Sequence, residues 1–218
     1  MNARMKKEWF LVILLFWPAF FCVSVKGSAA DVEFRWAILA DEGTGLEGLD
    51  FSKEPPVVHS GTPLQIYLEH LGNCYIYLFL LDSVGTLTPL YPPDSGYYHY
   101  GFPRGPRYIP PGTQTFTFVP PAGNESLYLI ASAKRLFKIE RLTEEFQKHA
   151  DSAGQQKLLI QEIETLVKKY EKSSGNAEKR TEVERKTKVD TTIVKTTFTG
   201  IEVTSSDHYA RNLLIDHQ

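Results

Sequence analysis

Eight consecutive apolar residues, Cys74 to Leu81, lie between two turn signals, Gly72-Asn73 before them and Asp82-Ser83-Val84-Gly85 after them. A run of this length that is apolar on both faces and punctuated at each end reads as a fully buried central strand. It constrains the chain more than any other feature, because burying each large aliphatic side chain contributes about 1.5–3 kcal/mol. The run therefore predicts the centre of a β-domain.

The flanking stretches fit that prediction. Asp31 to Ala40 reads as a strand in which Phe34, Trp36 and Ile38 alternate with Glu33, Arg35 and Ala37. Glycine-rich and acidic Asp41–Lys53 reads as a loop, Pro55-Pro56 forbids a helix, and Val57-Val58 suits a short edge strand. Thr62 to Leu71 alternates, with Leu64, Ile66 and Leu68 on one face and Gln65, Tyr67 and Glu69 on the other. Gly72-Asn73 then suggests a tight hairpin into the apolar run, and Asp82–Gly85 a second hairpin into Thr86–Tyr91. Pro92–Pro111 holds six prolines and three glycines, which predicts no regular element. Thr113–Val119 and Ser126–Ala133 read as further strands. Strands recurring at hairpin-like spacing are the pattern of a sandwich or barrel.

The pattern then changes. Leu136 to Lys172 is charged with helical spacing, and Leu159, Ile163, Leu166 and Tyr170 form one stripe. Ser152 with Gln155 suits an N-terminal capping box, and a shorter helix over Leu142–Ala150 would complete a helical hairpin. Such a stripe usually packs on its own domain, and the alternative is a partner-binding face. Lys172–Lys188 is polar and predicts a mobile linker. Asp190–Thr204 returns to β character with six threonines.

Residues 1–30 stand apart. Arg4, Lys6 and Lys7 precede a charge-free apolar run from Trp9 to Val25, and Ser28-Ala29-Ala30 fits a signal-peptidase site ahead of Asp31. The reading is a cleaved signal peptide, with an uncleaved membrane anchor as the alternative. Cleavage removes Arg4, Lys6, Lys7, Lys26 and Glu8, taking the net charge from −2 to −5. That balance argues against a nucleic-acid partner. It also removes Cys22 and leaves Cys74 alone, so the expected state is a buried free thiol.

Motifs that suggest chemistry lack their context. Gly43-Thr44-Gly45-Leu46-Glu47-Gly48 has dinucleotide-loop spacing, but Phe51–Pro56 follows where a helix is needed, and Asp41, Glu42, Glu47 and Asp50 would repel phosphate. Ser205, Ser206, Asp207 and His208 are triad residue types, yet neighbours in an extended segment point apart. The six histidines have no metal-ligand spacing, so no metal, cofactor or catalytic residue is assigned. Asn124-Glu125-Ser126 matches a glycosylation pattern too short to carry weight. The least weak functional signal is the loop after Tyr91. Tyr97, Tyr98, Tyr100, Arg104 and Arg107 are its candidate contact residues, aromatic and guanidinium groups that suit a sugar face, a peptide or a protein partner; the alternative is that the rings cover one end of the sandwich as a long ordered loop.

From Gly61 to Arg135 the sequence resembles a known family. Tyr75-Ile76-Tyr77-Leu78 matches its Y-x-Y-L strand. Asp82 and Gly85, followed by Leu90-Tyr91-Pro92, match its D-x-x-G turn and L-[FY]-P ending. Ile109-Pro110 precedes the next strand, and Ile130-Ala131-Ser132 matches its final one. These features are similar to domain of unknown function 4384, and the likeness covers about a third of the chain. It implies a largely bacterial, exported or accessory β-domain with no established catalytic residue.

The expectation is a mainly β chain, an antiparallel immunoglobulin-like sandwich with an inserted helical segment. Its parts are a signal peptide (1–30), a sandwich core (31–135), a helical insert with charged linker (136–188) and a terminal β-segment completing the sandwich (189–218). The expected function is a non-catalytic binding or assembly module, exported to the periplasm, cell envelope or exterior, that meets an unknown protein or envelope partner through loop 91–108. The alternatives are a structural subunit using helical segment 136–172, or a secreted hydrolase. A membrane contact would come only through an uncleaved residue 1–30 segment.

Overall fold

A computed structural model describes residues 31–149, 152–171, 176–189 and 191–218; the expected signal peptide lies outside the described residues. The described part is mainly β, with eleven strands and two helices. One sheet has the order β7 (Gly105–Ile109), β4 (Leu64–His70), β1 (Val32–Asp41), β10 (Thr192–Ser205), β9 (Ala177–Val189), with short β2 (Leu46–Gly48) also on β1. The other has the order β3 (Val57–Val58), β11 (His208–His217), β8 (Gly123–Ser132), β5 (Tyr75–Leu81), β6 (Leu87–Tyr91). All pairs are antiparallel except β3 with β11.

The two sheets share one core. Phe34, Trp36 and Ile38 of β1, Leu64, Ile66 and Leu68 of β4, and Val203 of β10 meet Ile76 and Leu78 of β5, Leu127 and Leu129 of β8, and Tyr209, Leu213 and Ile215 of β11. The apolar run is explained by a third layer. Alternate residues Tyr77 and Phe79 of β5 point away from that core, and with Tyr128, Ile130 and Ala210 they contact helices α1 (Phe137–Lys148) and α2 (Ala153–Tyr170). The stripe Leu159, Ile163, Leu166 and Tyr170 is buried there, beside Ile139, Leu142 and Phe146 of α1. Strand β5 has no polar face because neither of its faces meets water.

Polar groups hold the helices in place. The Tyr77 hydroxyl accepts from Leu136 N at 3.1 Å and donates to Glu140 at 2.8 Å, serving the otherwise uncapped start of α1. Ser152 Oγ accepts from Gln155 N at 3.4 Å and caps α2. Gln156 reaches the β5–β6 turn, donating to Gly85 O at 2.9 Å.

Several local expectations change. Gly72-Asn73 is not a hairpin. Strand β4 pairs with β1 and β7, while β5 pairs with β6 and β8, so the two residues carry the chain from one sheet to the other. The pattern of one strand could not show that its neighbour belonged to the opposite sheet. Strand β7 forms inside the proline-rich segment. It is a sheet edge, where Pro106 removes no needed ladder bond. Thr113–Val119 makes only an isolated bridge, Leu64 to Phe116, although Phe118 is buried.

The largest correction concerns the charged stretch. Lys172–175 lies outside the described residues, but 177–189 forms β9, paired with β10 from Ala177↔Thr204 to Val189↔Thr192. The hairpin reaches the outer face of the first sheet. Val183 and Phe198 are buried against Ala37, Leu39 and Tyr67, and the Phe198 and Tyr67 rings meet edge-on at 5.2 Å. Arg185 is almost fully buried. It lies 4.4 Å over the Tyr108 ring and donates to Gln65 Oε1 at 2.7 Å and Gly112 O at 3.0 Å. One charged side chain with two acceptors and an aromatic face can be buried where an isolated one could not.

Candidate functional site

Loop 92–104 is ordered by its own turns and then by the sheet beneath it. Asp94 Oδ1 accepts from Gly96 N at 2.8 Å, and successive turns close through Tyr97 N to Asp94 O, His99 N to Gly96 O and Gly101 N to Tyr98 O. These turns direct Tyr98 inward. Its hydroxyl accepts from Ile76 N and donates to Ile76 O, both at 2.9 Å. Pairing of β6 with β5 extends only to Tyr91 opposite Leu78, so the tyrosine satisfies β5 backbone groups that β6 does not reach.

An aromatic cluster surrounds that bond. Tyr98 is edge-on to Tyr75 at 5.1 Å and to Tyr97 at 5.3 Å, and it lies 5.7 Å from Phe102. Tyr91 meets Tyr97 at 5.2 Å, and its hydroxyl lies 3.0 Å from His70 Nε2. Edge-to-face aromatic pairs of this kind each add about 0.5–1.5 kcal/mol beyond their burial. Burial lowers His70 to about 4, against Arg104 and Arg107 that also disfavour its charge, so the imidazole is neutral near pH 7. Burial also raises the Tyr98 and Tyr91 phenols well above their ordinary range and the Cys74 thiol to about 11. Cys74 is fully buried and protonated, an inert thiol.

The structure divides the five residues singled out by sequence. Tyr98 lies in the core, and Tyr97 is half-buried against it. Tyr100 is fully exposed at the loop tip. Arg104 is exposed but tethered, donating to Asn73 Oδ1 at 2.8 Å and Leu71 O at 3.3 Å. Arg107 is exposed on β7. The outward set is Tyr100, Arg104 and Arg107, carried on a loop whose other aromatic rings fix its shape.

Residues 57–135 match the family model described as Domain of unknown function (DUF4384). The family match bears out the resemblance in the strand motifs and contains the whole aromatic loop. Comparison with curated proteins and with solved structures finds no match to the chain. The DUF4384 segment supplies strands β3 to β8, drawn from both sheets.

Elsewhere, the glycine-rich stretch divides: residues 43–45 are a turn closed on itself, because Asp41 Oδ1 accepts from Gly43 N at 2.8 Å and Gly45 N at 3.0 Å, and Leu46–Gly48 is strand β2 on β1. Ser205 Oγ donates to the His208 carbonyl, while His208 pairs with Asp207, so those neighbours form no relay. Among the described residues no group of three or more His, Cys, Asp or Glu side chains is arranged to hold a metal ion. A cleft of about 130 Å³ opens beside Trp36 and Phe51, lined by the pairs Arg180–Asp50 and Arg211–Glu178.

One polar constellation escaped the sequence reading. Ser60 Oγ lies 2.8 Å from His217 Nε2, and His217 Nδ1 lies 3.0 Å from Glu125 Oε1. Ser60 and Glu125 fall within the DUF4384 segment and His217 beyond it. Sequence separations of 157 and 92 residues leave no local signal that could connect them.

Proposed function

We propose that the chain is a binding module of the cell envelope or exterior, with no catalytic role for its aromatic loop, and that Tyr100, Arg104 and Arg107 form its contact surface toward a protein or envelope partner. The supporting observation is the full exposure of Tyr100 on a loop locked by the Tyr98–Ile76 bonds. A rigid loop loses little conformational freedom on binding, and tyrosine and arginine are the residue types that dominate binding energy at interfaces. Export follows from reading residues 1–30 as a signal peptide, a segment outside the described residues. We also read the two facing sheets as an immunoglobulin-like sandwich. Their shared core, near-uniform antiparallel pairing and repeated sheet-to-sheet crossovers support that class.

The test is site-specific photocrosslinking in the source cell. A benzoylphenylalanine placed at Tyr100 should give one discrete adduct, which Arg104→Ala weakens. The same probe at Leu214, an exposed apolar residue on β11, should give none. Equal adducts from both sites, or none from Tyr100, would remove the loop from consideration. Assembly through segment 136–172 has less support, because the helical stripe is already buried against β5, β8 and β11.

A further inference from the structure

The end of the second sheet opposite the aromatic loop brings three chemically complementary side chains together. His217 is the last residue of β11, and Glu125 lies near the start of β8, which β11 flanks. Ser60 follows β3, which runs parallel to β11 with Val58 opposite His217. That parallel pairing continues past the named strands, through Gln218 N to Val58 O at 3.0 Å and Ser60 N to Gln218 O at 2.7 Å. Backbone bonds thus fix the serine beside the histidine, independently of the side-chain contact.

The bond pattern sets the roles of the atoms. Glu125 faces a donor with each oxygen: His217 Nδ1 at 3.0 Å on Oε1 and Ser83 N at 3.1 Å on Oε2. An acceptor at Nδ1 holds the proton on that nitrogen and leaves the Nε2 lone pair for the Ser60 hydroxyl at 2.8 Å. His217 and Glu125 are buried, the Phe118 ring lies 5.3 Å from the imidazole, and Ser60 is exposed. A hydroxyl on an exposed residue, a shielded imidazole and a buried carboxylate, bonded in that order, are the arrangement that activates a serine.

We propose that Ser60 is a nucleophile toward activated acyl esters, with His217 as its base and Glu125 as the positioning residue. Ser60 Oγ attacks the ester carbonyl carbon while its proton passes to His217 Nε2. The bond from that carbon to the leaving oxygen or sulfur then breaks, and the departing alcohol or thiol takes the proton from His217. Water attacks the resulting acyl-serine and gives a proton to His217 Nε2; the bond from the acyl carbon to Ser60 Oγ breaks, Oγ takes that proton, and the carboxylic acid leaves. The turn limits the substrate class. The N–H groups of Ser60, Gly61 and Thr62 already bond to the carbonyl oxygens of Gln218, Phe118 and His59, so none of them is free to stabilise the tetrahedral oxyanion. Loss of one such donor slows acyl transfer by about 10²–10³-fold, so good leaving groups, aryl esters and thioesters, suit this site and amides do not.

The test is covalent labelling of the full chain by a fluorophosphonate, with p-nitrophenyl acetate as substrate and peptide mass spectrometry to place the adduct. The expected result is an adduct on Ser60 that forms faster than on any other serine and is lost in Ser60→Ala. Glu125→Gln should slow labelling by about tenfold or more at an unchanged melting temperature, with partial recovery in Glu125→Asp. If Glu125→Gln fails to fold, the native chain compared with the same chain in urea decides, since Ser60 should lose its advantage on unfolding. An unlabelled Ser60, equal labelling in urea, or full labelling in folded Glu125→Gln would each reduce the three residues to a structural knot. The aromatic loop takes no part, so failure here leaves the binding reading untouched.

Discussion

Each sheet buries its outer face under a different kind of cover. On the second sheet, helices α1 and α2 lay apolar side chains over Tyr77, Phe79, Tyr128 and Ile130. On the first, the hairpin β9–β10 covers Ala37, Leu39 and Tyr67 with Val183 and Phe198, and Arg185 is held by Gln65, Gly112 and Tyr108. The helical cover is non-directional and gains from area alone. The hairpin cover depends on a few directed bonds around a buried guanidinium, so its geometry is stricter and its apolar content smaller. The difference explains why the helical cover can be read from a periodic stripe and the hairpin cover cannot.

The largest expected effect tests the helical cover. Phe79→Ala should lower unfolding free energy by about 3–5 kcal/mol in urea titrations, because it empties an apolar site beneath the helices. A loss below about 1 kcal/mol would mean that the helices do not bury this face in solution.

Acid probes the loop end, away from both covers. The folded chain holds His70 at about 4 and so resists a proton that the unfolded chain accepts near 6.5. Stability is therefore full above about 6.5, falls as pH drops through this window, and by about pH 4 this histidine has removed about 3 kcal/mol. His70→Gln should flatten that part of the stability–pH curve. An unchanged slope in the variant would show that His70 is not held neutral.

Arg185→Ala probes the hairpin cover and should cost about 1–3 kcal/mol, since it leaves Gln65 Oε1 without its guanidinium donor. Arg185→Lys should recover little, because an ammonium cannot reproduce the planar stack on Tyr108 while reaching two acceptors. Full recovery by lysine would make this cover as non-directional as the helical one and break the contrast. The smallest effect is Ser152→Ala, expected to cost about 1 kcal/mol through the lost α2 cap. Hydrogen exchange confined to the first turn of α2 would locate it.

The chain itself determined the strands whose neighbours leave a periodic trace. The alternation in β1 and β4, the apolar run in β5 and the Leu159–Tyr170 stripe depend on contacts that repeat along the sequence, the Asp82–Gly85 hairpin and the Ser152 cap on bonds between near neighbours, and all are present. Tertiary structure alone decided the sheet to which each strand belongs, because Gly72-Asn73 can turn a hairpin or carry the chain across a core. It made a strand of charged 177–189, whose partner β10 supplies the ladder and whose Val183 and Arg185 are buried beside exposed charged neighbours. It divided Tyr98 from Tyr100, two residues apart and alike in type, into a core bond and an exposed tip. It also joined Ser60, Glu125 and His217, because parallel pairing with the last strand is a long-range event with no local signature.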